Sequence, residues 1–263
     1  MKIFTTRVKS KTSKFVMKTG VLLIWLLIWQ LVYLFVDQEL LISSPINIFM
    51  RIVELSFTTL FWKSIGISFM RIFVGLILAL VAGTILAVIT TKYKILDYFF
   101  KPVLNIIKST PVASFIILAL IWLKSYRISA FIAFLMVLPM VWENVSEGIK
   151  NTDIKLLEMT KVFNIPKRRV LKAVYIPSIM PYFAAACNIG IGFAWKAGIA
   201  AEVIGLSKGT IGRNLYNAKI YLETVDIFAW TVVVIILSLL FEKGFVKVIN
   251  FLFKKAGIRY DYI

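Results

Sequence analysis

Chemistry in this chain would have to come from few side chains. None of the 263 residues is a histidine, which removes the commonest metal ligand and the usual general base near neutral pH. The single cysteine, Cys187, can form no disulfide within the chain. No Gly-x-x-x-x-Gly-Lys-Ser/Thr phosphate loop is present, so the chain is not expected to hydrolyse ATP. No catalytic, cofactor-binding or metal-ligating constellation is expected. What stands out are isolated polar and helix-breaking residues beside long apolar runs: Arg71, Pro111, Trp195, Lys196 and Glu202. An arginine at the bilayer centre costs roughly 2.5–3.5 kcal/mol on insertion scales, so such residues mark either local pairs or solute pathways. Counted from Ser64, Arg71 is about 10 Å deep at 1.5 Å per residue, within snorkelling reach of the surface. Pro111 follows Ser109-Thr110 and disfavours helix at the residue before it. A break at membrane depth is tolerated where protein covers it or where it lines a cavity. Lys196 and Glu202 read either as residues solvated on the outer face or as a half-buried pair. These five are the candidates for the border of a solute route.

The richest stretch lies at 143–173. Asp153 is a candidate cap for a short helix, with Glu158 in an early turn where a carboxylate favours the helix dipole. Glu158-Met159-Thr160-Lys161-Val162-Phe163-Asn164-Ile165-Pro166 follows, and Pro166 suits the start of a second helix. Lys167-Arg168-Arg169 then leads into the next apolar run. Two short helices meeting at a tight turn form a knob with no core of its own to fill. The alternative is a basic loop lying on anionic headgroups.

The elements that position these residues are membrane helices. Of the chain, 60% is hydrophobic and 17% charged, with a mean hydropathy of +0.88; a soluble domain is about 25% charged. A hydrocarbon core of about 30 Å needs about 20 apolar residues as helix. Six spans are expected, around 21–36, 65–91, 111–123 (extended backwards through 104–107), 128–141, 173–195 and 224–241. The first follows a basic region but has no small-residue cleavage site after it, so it reads as an uncleaved anchor. The second carries Gly75, Ala79, Gly83 and Ala87, a stripe that lets another helix approach closely within this subunit, or that faces a translocation path or partner subunit. Six alternating spans place 20 Lys and Arg on one side and 8 on the other. The positive-inside rule puts the richer side, with both termini and the 143–173 loop, in the cytoplasm. The net charge of +18 is thus mainly a topology signal, and no nucleic-acid partner is expected.

At this point the chain resembles a known family, the permease subunits of binding-protein-dependent ABC importers. Their cytoplasmic loop has the pattern Glu-Ala-Ala, three residues, Gly, then an Ile-x-Leu-Pro-like end. Glu158 matches the Glu, Met159-Thr160 replace the alanines, Asn164 stands at the Gly position, and Tyr175-Ile176-Pro177 supply the end. Asn tolerates a left-handed backbone better than most non-glycine residues. Ser43-Ser44-Pro45, Ser68-x-x-Arg71-x-x-x-Gly75, Ser109-Thr110-Pro111-Val112-Ala113, and Ala201-Glu202 followed by Gly209-Thr210-Ile211-Gly212 resemble further family segments in order. The nitrate/sulfonate/taurine branch is the most similar. The resemblance implies an all-α membrane protein with six transmembrane helices in the type-1 permease fold. It implies an anchor over 1–42, a permease domain over 43–245 and a basic cytoplasmic tail over 246–263. It further implies a homodimer in the plasma membrane, ATPase subunits docking at Glu158–Pro166, and a binding protein outside. The rivals from other classes are an ion- or proton-coupled secondary transporter, whose acids would be Glu202 and Asp226, and an intramembrane enzyme.

Overall fold

A computed structural model describes residues 11–255. The expected cytoplasmic ends at 1–10 and 256–263 lie outside the described residues. Eleven helices follow in order: α1 Lys11–Val36, α2 Pro45–Ser56, α3 Thr59–Lys92, α4 Lys94–Ser109, α5 Val112–Trp122, α6 Ser125–Lys150, α7 Ile154–Val162, α8 Lys167–Val170, α9 Ile176–Ile204, α10 Ile211–Ile220 and α11 Thr224–Lys255. No strand occurs among the described residues. The last helix runs to Lys255, so the first part of the stretch expected as tail continues α11.

Local sequence explains most boundaries. Ser44 caps α2, its Oγ accepting from the Asn47 N–H at 3.1 Å, with Pro45 at the first helical position, where a missing N–H costs nothing. Thr58 caps α3 through Phe61 N–H. Thr110, ahead of Pro111, is extended at φ −84°, ψ 135°. Between α8 and α9, residues Leu171–Tyr175 widen into a π turn. Pro177, just downstream, has no N–H to give to the i−4 carbonyl. There the Ile176 N–H bonds to the Leu171 carbonyl, five residues back.

The core is three helices packed side by side, and the glycines show how closely. A Cβ on Gly75 would lie 2.2 Å from the Ala130 carbonyl oxygen, and one on Gly83 would lie 2.8 Å from Val141 Cβ. The small-residue stripe of α3 therefore packs on α6 inside the subunit. Gly75 meets Ala130 while Gly83 meets Val141 and Thr90 bonds to Trp142, so α3 and α6 run parallel. Gly148 meets Tyr182, Gly190 meets Val137 and Gly198 meets Ile72, so α9 runs antiparallel to both. Without a hydrophobic drive between helices in lipid, such close backbone approach is a main source of association.

The parallel pair agrees with six alternating spans, whose second and fourth run the same way. Five helices are long and apolar enough to cross a membrane; the expected third span is broken into α4 and α5, bent by 109°. With 11 residues, α5 is about 16 Å long at 1.5 Å per residue, too short to cross alone. Because α3 and α6 point the same way, the chain between Lys92 and Ser125 must return to the starting face. The broken α4–α5 pair is that return, the sixth crossing. An ion pair from Lys108 to Glu143 ties its bend to α6.

Candidate functional site

Two places in the fold concentrate polar geometry, and they lie at opposite faces. The first is the 151–170 loop, on the face where α3 and α6 end and α9 begins. Its base is fastened by Asn151 Nδ2, which donates to Tyr182 Oη at 3.0 Å and to Glu147 Oε1 at 2.9 Å. Asp153 caps α7, its Oδ1 accepting from the Lys155 N–H at 2.8 Å. Glu158 lies one turn further along and is exposed, so the capping carboxylate is Asp153 alone. The helix ends in two reciprocal bonds: the Ile165 N–H reaches the Thr160 carbonyl at 2.9 Å and the Asn164 N–H reaches that of Lys161 at 3.1 Å. This Schellman closure needs a left-handed residue after the helix, and Asn164 supplies it at φ +47°. The expectation that Asn stands in for a turn glycine is met by geometry. Pro166 then starts α8 at Lys167.

The closure holds an apolar face in the open. Val162 is 77% exposed and Phe163 71%, with Met159 beside them at 45%. Ile165 is half-buried, and Thr160 is buried against the loop's own backbone. Ile154 and Leu156 are exposed as well. Both precede the matched Glu158 and were not singled out from sequence, although their i, i+3 relation to later apolar residues of α7 was there to read.

The second place is at the far end of α9. Glu202 is wholly buried. Its Oε2 accepts from Ser68 Oγ at 2.7 Å and from the Gly212 N–H at 3.3 Å. Ser68 Oγ in turn accepts from the Ile211 N–H at 3.0 Å. The carboxylate and the serine thereby satisfy the first N–H groups of α10 and sit at the positive end of its dipole. Gly212 is required for this approach, since a Cβ there would be 2.4 Å from Glu202 Cβ. The connecting turn is tight: Leu206 takes φ +50° and Gly209 φ +71°. Ser207 Oγ donates to the Ser125 carbonyl, tying the turn to α6.

Of the five route candidates, the structure separates rather than assembles the set. Trp195 is 1% exposed, and its Nε1–H donates to the Val234 carbonyl at 3.1 Å. Lys196 is exposed and forms no ion pair with Glu202 among the described residues; the half-buried pair is not formed. Six helical residues turn about 600°, which puts the two on different faces. Pro111 is exposed at the apex of the α4–α5 bend. Arg71 is half-buried one turn from Ser68, and its Nη1 has no hydrogen-bond partner among the described residues. Asp226 is held in a two-bond pair by Arg51 Nε and Nη2. Asp226 first, then Glu54, keeps the Arg51 guanidinium charged well above the ordinary arginine value.

The sequence profile described as "binding-protein-dependent transport system inner membrane component" matches residues 75–242. The chain belongs to that family. The putative aliphatic sulfonates transport permease protein of Bacillus subtilis is 24% identical over 226 residues, covering 85% of this chain and 81% of its own length. The formylaminopyrimidine transport permease protein of Halalkalibacterium halodurans is 25% identical, covering 86% and 89%. The nitrate import permease protein of Synechococcus elongatus is 27% identical, covering 74% and 73%. The chain is thus a multi-pass membrane protein and a transport permease subunit, in the branch with the sulfonate and nitrate permeases. The 151–170 loop, Glu202 and Gly212 fall inside the matched region, which runs from Gly75 in α3 into α11, while Ser68 lies just before it.

Proposed function

We propose that this permease is the membrane half of an ATP-driven importer of a small solute, and that α7 with its Asn164 turn docks on a separate ATPase subunit. The observation that carries the reading is the exposed apolar face of Met159, Val162 and Phe163 on a helix capped at both ends. Fully burying one such side chain is worth roughly 1.5–3 kcal/mol, and a few anchors of this kind dominate an interface. The loop shares its face with Lys92, Lys94 and the basic end of α11, which supports a cytoplasmic placement by the positive-inside rule. Both termini then lie inside. Two copies of the permease would pair in the plasma membrane, and an extracytoplasmic binding protein would deliver solute at the opposite face. Alternating access follows if ATP-driven closure favours one of two states; a ligand shifts such an equilibrium only by its differential affinity. The Glu202 and Asp226 contacts disfavour a proton-coupled mechanism, because both intramembrane acids already serve as structural acceptors. The names of the relatives span aliphatic sulfonates, nitrate and a formylaminopyrimidine, which supports a small solute and no single substrate class.

The test is co-purification of the ATPase with the full chain. Phe163→Ala with Val162→Ala should leave membrane insertion intact and cut ATPase recovery by about tenfold or more, as expected for the loss of two buried anchors. If recovery is unchanged and only neutralising Lys167, Arg168 and Arg169 matters, the loop is a lipid-surface element instead.

A further inference from the structure

Arg71 and Arg127 have no described acid partner in an ion pair, yet both border one apolar groove of about 640 Å3. The groove runs between α3 and α6. Met70, Val74 and Leu78 form one wall, and Ala130, Phe131 and Phe134 the other. The parallel register that sets Gly75 against Ala130 puts Arg71 level with Tyr126 and Arg127. Both arginines therefore sit at the same end of the groove, on the face opposite α7. Arg127 leans over the Tyr126 ring at 5.3 Å. Arg71 keeps one buried nitrogen without a partner. The buried Glu202 carboxylate acts on Arg71 through space with no ion pair between them among the described residues, so Arg127 is the less compensated of the two.

We infer that this groove is a binding site for an anionic phospholipid of the leaflet opposite α7, with the phosphate between Arg71 and Arg127 and one acyl chain along the α3–α6 seam. Length supports that occupant. From Met70 to Ala82 the groove spans about 18 Å of helix, close to one leaflet of a core about 30 Å thick. Charge supports it as well: two arginines that form no ion pair among the described residues stand at the mouth, and the walls beyond them are apolar. A free inorganic anion would satisfy the mouth and leave the walls unused. The site requires neither the ATPase contact nor the direction of transport.

The test uses the full chain in nanodiscs and native mass spectrometry, comparing retained phosphatidylglycerol with phosphatidylcholine. A basic residue at an anionic surface contributes about 1 kcal/mol, or about fivefold. The wild-type preference for phosphatidylglycerol should be about twenty-five-fold with both arginines engaged. Arg127→Gln, at an exposed position, should lower it about fivefold, and the double change with Arg71→Gln should bring it near parity. Lys196→Gln should leave it unchanged. Equal retention of the two lipids, or a preference that survives Arg127→Gln, overturns the site. Displacement of the lipid by inorganic phosphate would show that the acyl groove is not used, and also overturns it. Cross-linking of Phe131→Cys to a second copy, in a Cys187→Ser background, would show the groove covered by protein and overturn it likewise.

Discussion

Removing the Ser68 hydroxyl should loosen the end of α9 more than its size suggests. Ser68 and Glu202 are both wholly buried, and the serine is donor and acceptor in one small network. Ser68→Ala leaves the Ile211 N–H without its acceptor and takes one of two donors from Glu202 Oε2. A buried polar group left unpaired costs about 1–3 kcal/mol, so the sum is about 2–4 kcal/mol. Glu202→Ala should be worse, since it adds a cavity to the unpaired Ser68 hydroxyl and Gly212 N–H. Glu202→Gln is the informative change. It conserves volume and keeps one amide oxygen to accept from Ser68 and Gly212. Its amide nitrogen replaces Oε1, which has no hydrogen-bond partner among the described residues. Weaker neutral bonds are offset by no longer burying a charge, so the cost should stay under about 1 kcal/mol. For a chain of this size 1 kcal/mol corresponds to roughly 2–4 °C. Heating the full chain in nanodiscs and following the monodisperse fraction should show Ser68→Ala lower by roughly 5–15 °C and Glu202→Gln within about 4 °C of wild type. A Glu202→Gln variant as unstable as Glu202→Ala would refute the acceptor argument, because it would mean that the charge itself holds the turn.

Two further substitutions probe the positions where backbone geometry decides. Asn164→Gly should be neutral to slightly stabilising, whereas Asn164→Val, β-branched at φ +47°, should open the end of α7 and raise protease cleavage at 160–166. Gly75→Ala places a Cβ 2.2 Å from a backbone oxygen that no rotamer change can move; it should cost about 1–3 kcal/mol or more in a thermal shift. Gly66→Ala on the same helix meets nothing within 4 Å and should instead gain up to about 1 kcal/mol. Equal effects at the two glycines would sink the close-approach account of α3 and α6.

What could be read from the sequence was local. The Asn164 turn, the Ser44-Pro45 helix start and the break at Pro111 each depend on the chemistry of one residue and its neighbours. The α3 stripe was readable because four-residue spacing is a property of the helix itself, although its partner was not. Pairings across the chain were not readable. Ser68 and Glu202 are 134 positions apart and Arg51 and Asp226 are 175 apart, and neither member of a pair carries a local signal for the other. Glu202 was singled out as an anomaly in an apolar run. The one partner weighed for it, beside solvation on the outer face, was Lys196, because a single sequence offers only nearby residues as partners. Asp226 was likewise readable as an unpaired acid near a span end until α2 folded against the first turn of α11. The π turn was hidden for a different reason. Pro177 announces a missing donor, but whether the ladder kinks, breaks or widens depends on what α8 is fixed to.

That π turn bears on how the two polar places relate. The α9 helix begins beside the capped knob and reaches Glu202 in its last turn, about 39 Å away at 1.5 Å per residue. Along its length it packs closely on α3 and α6 at Gly148, Gly190 and Gly198. At its far end the Ser68 and Gly212 bonds hold it to α3 and α10. A displacement applied to α8 therefore has two outlets. Either the widened turn at Leu171–Tyr175 absorbs it, or α9 carries it as a rigid body and strains the Glu202 network. The two outlets differ in which element yields: the first leaves the Ser68–Glu202 bond intact in every state of the permease, and the second requires that it break.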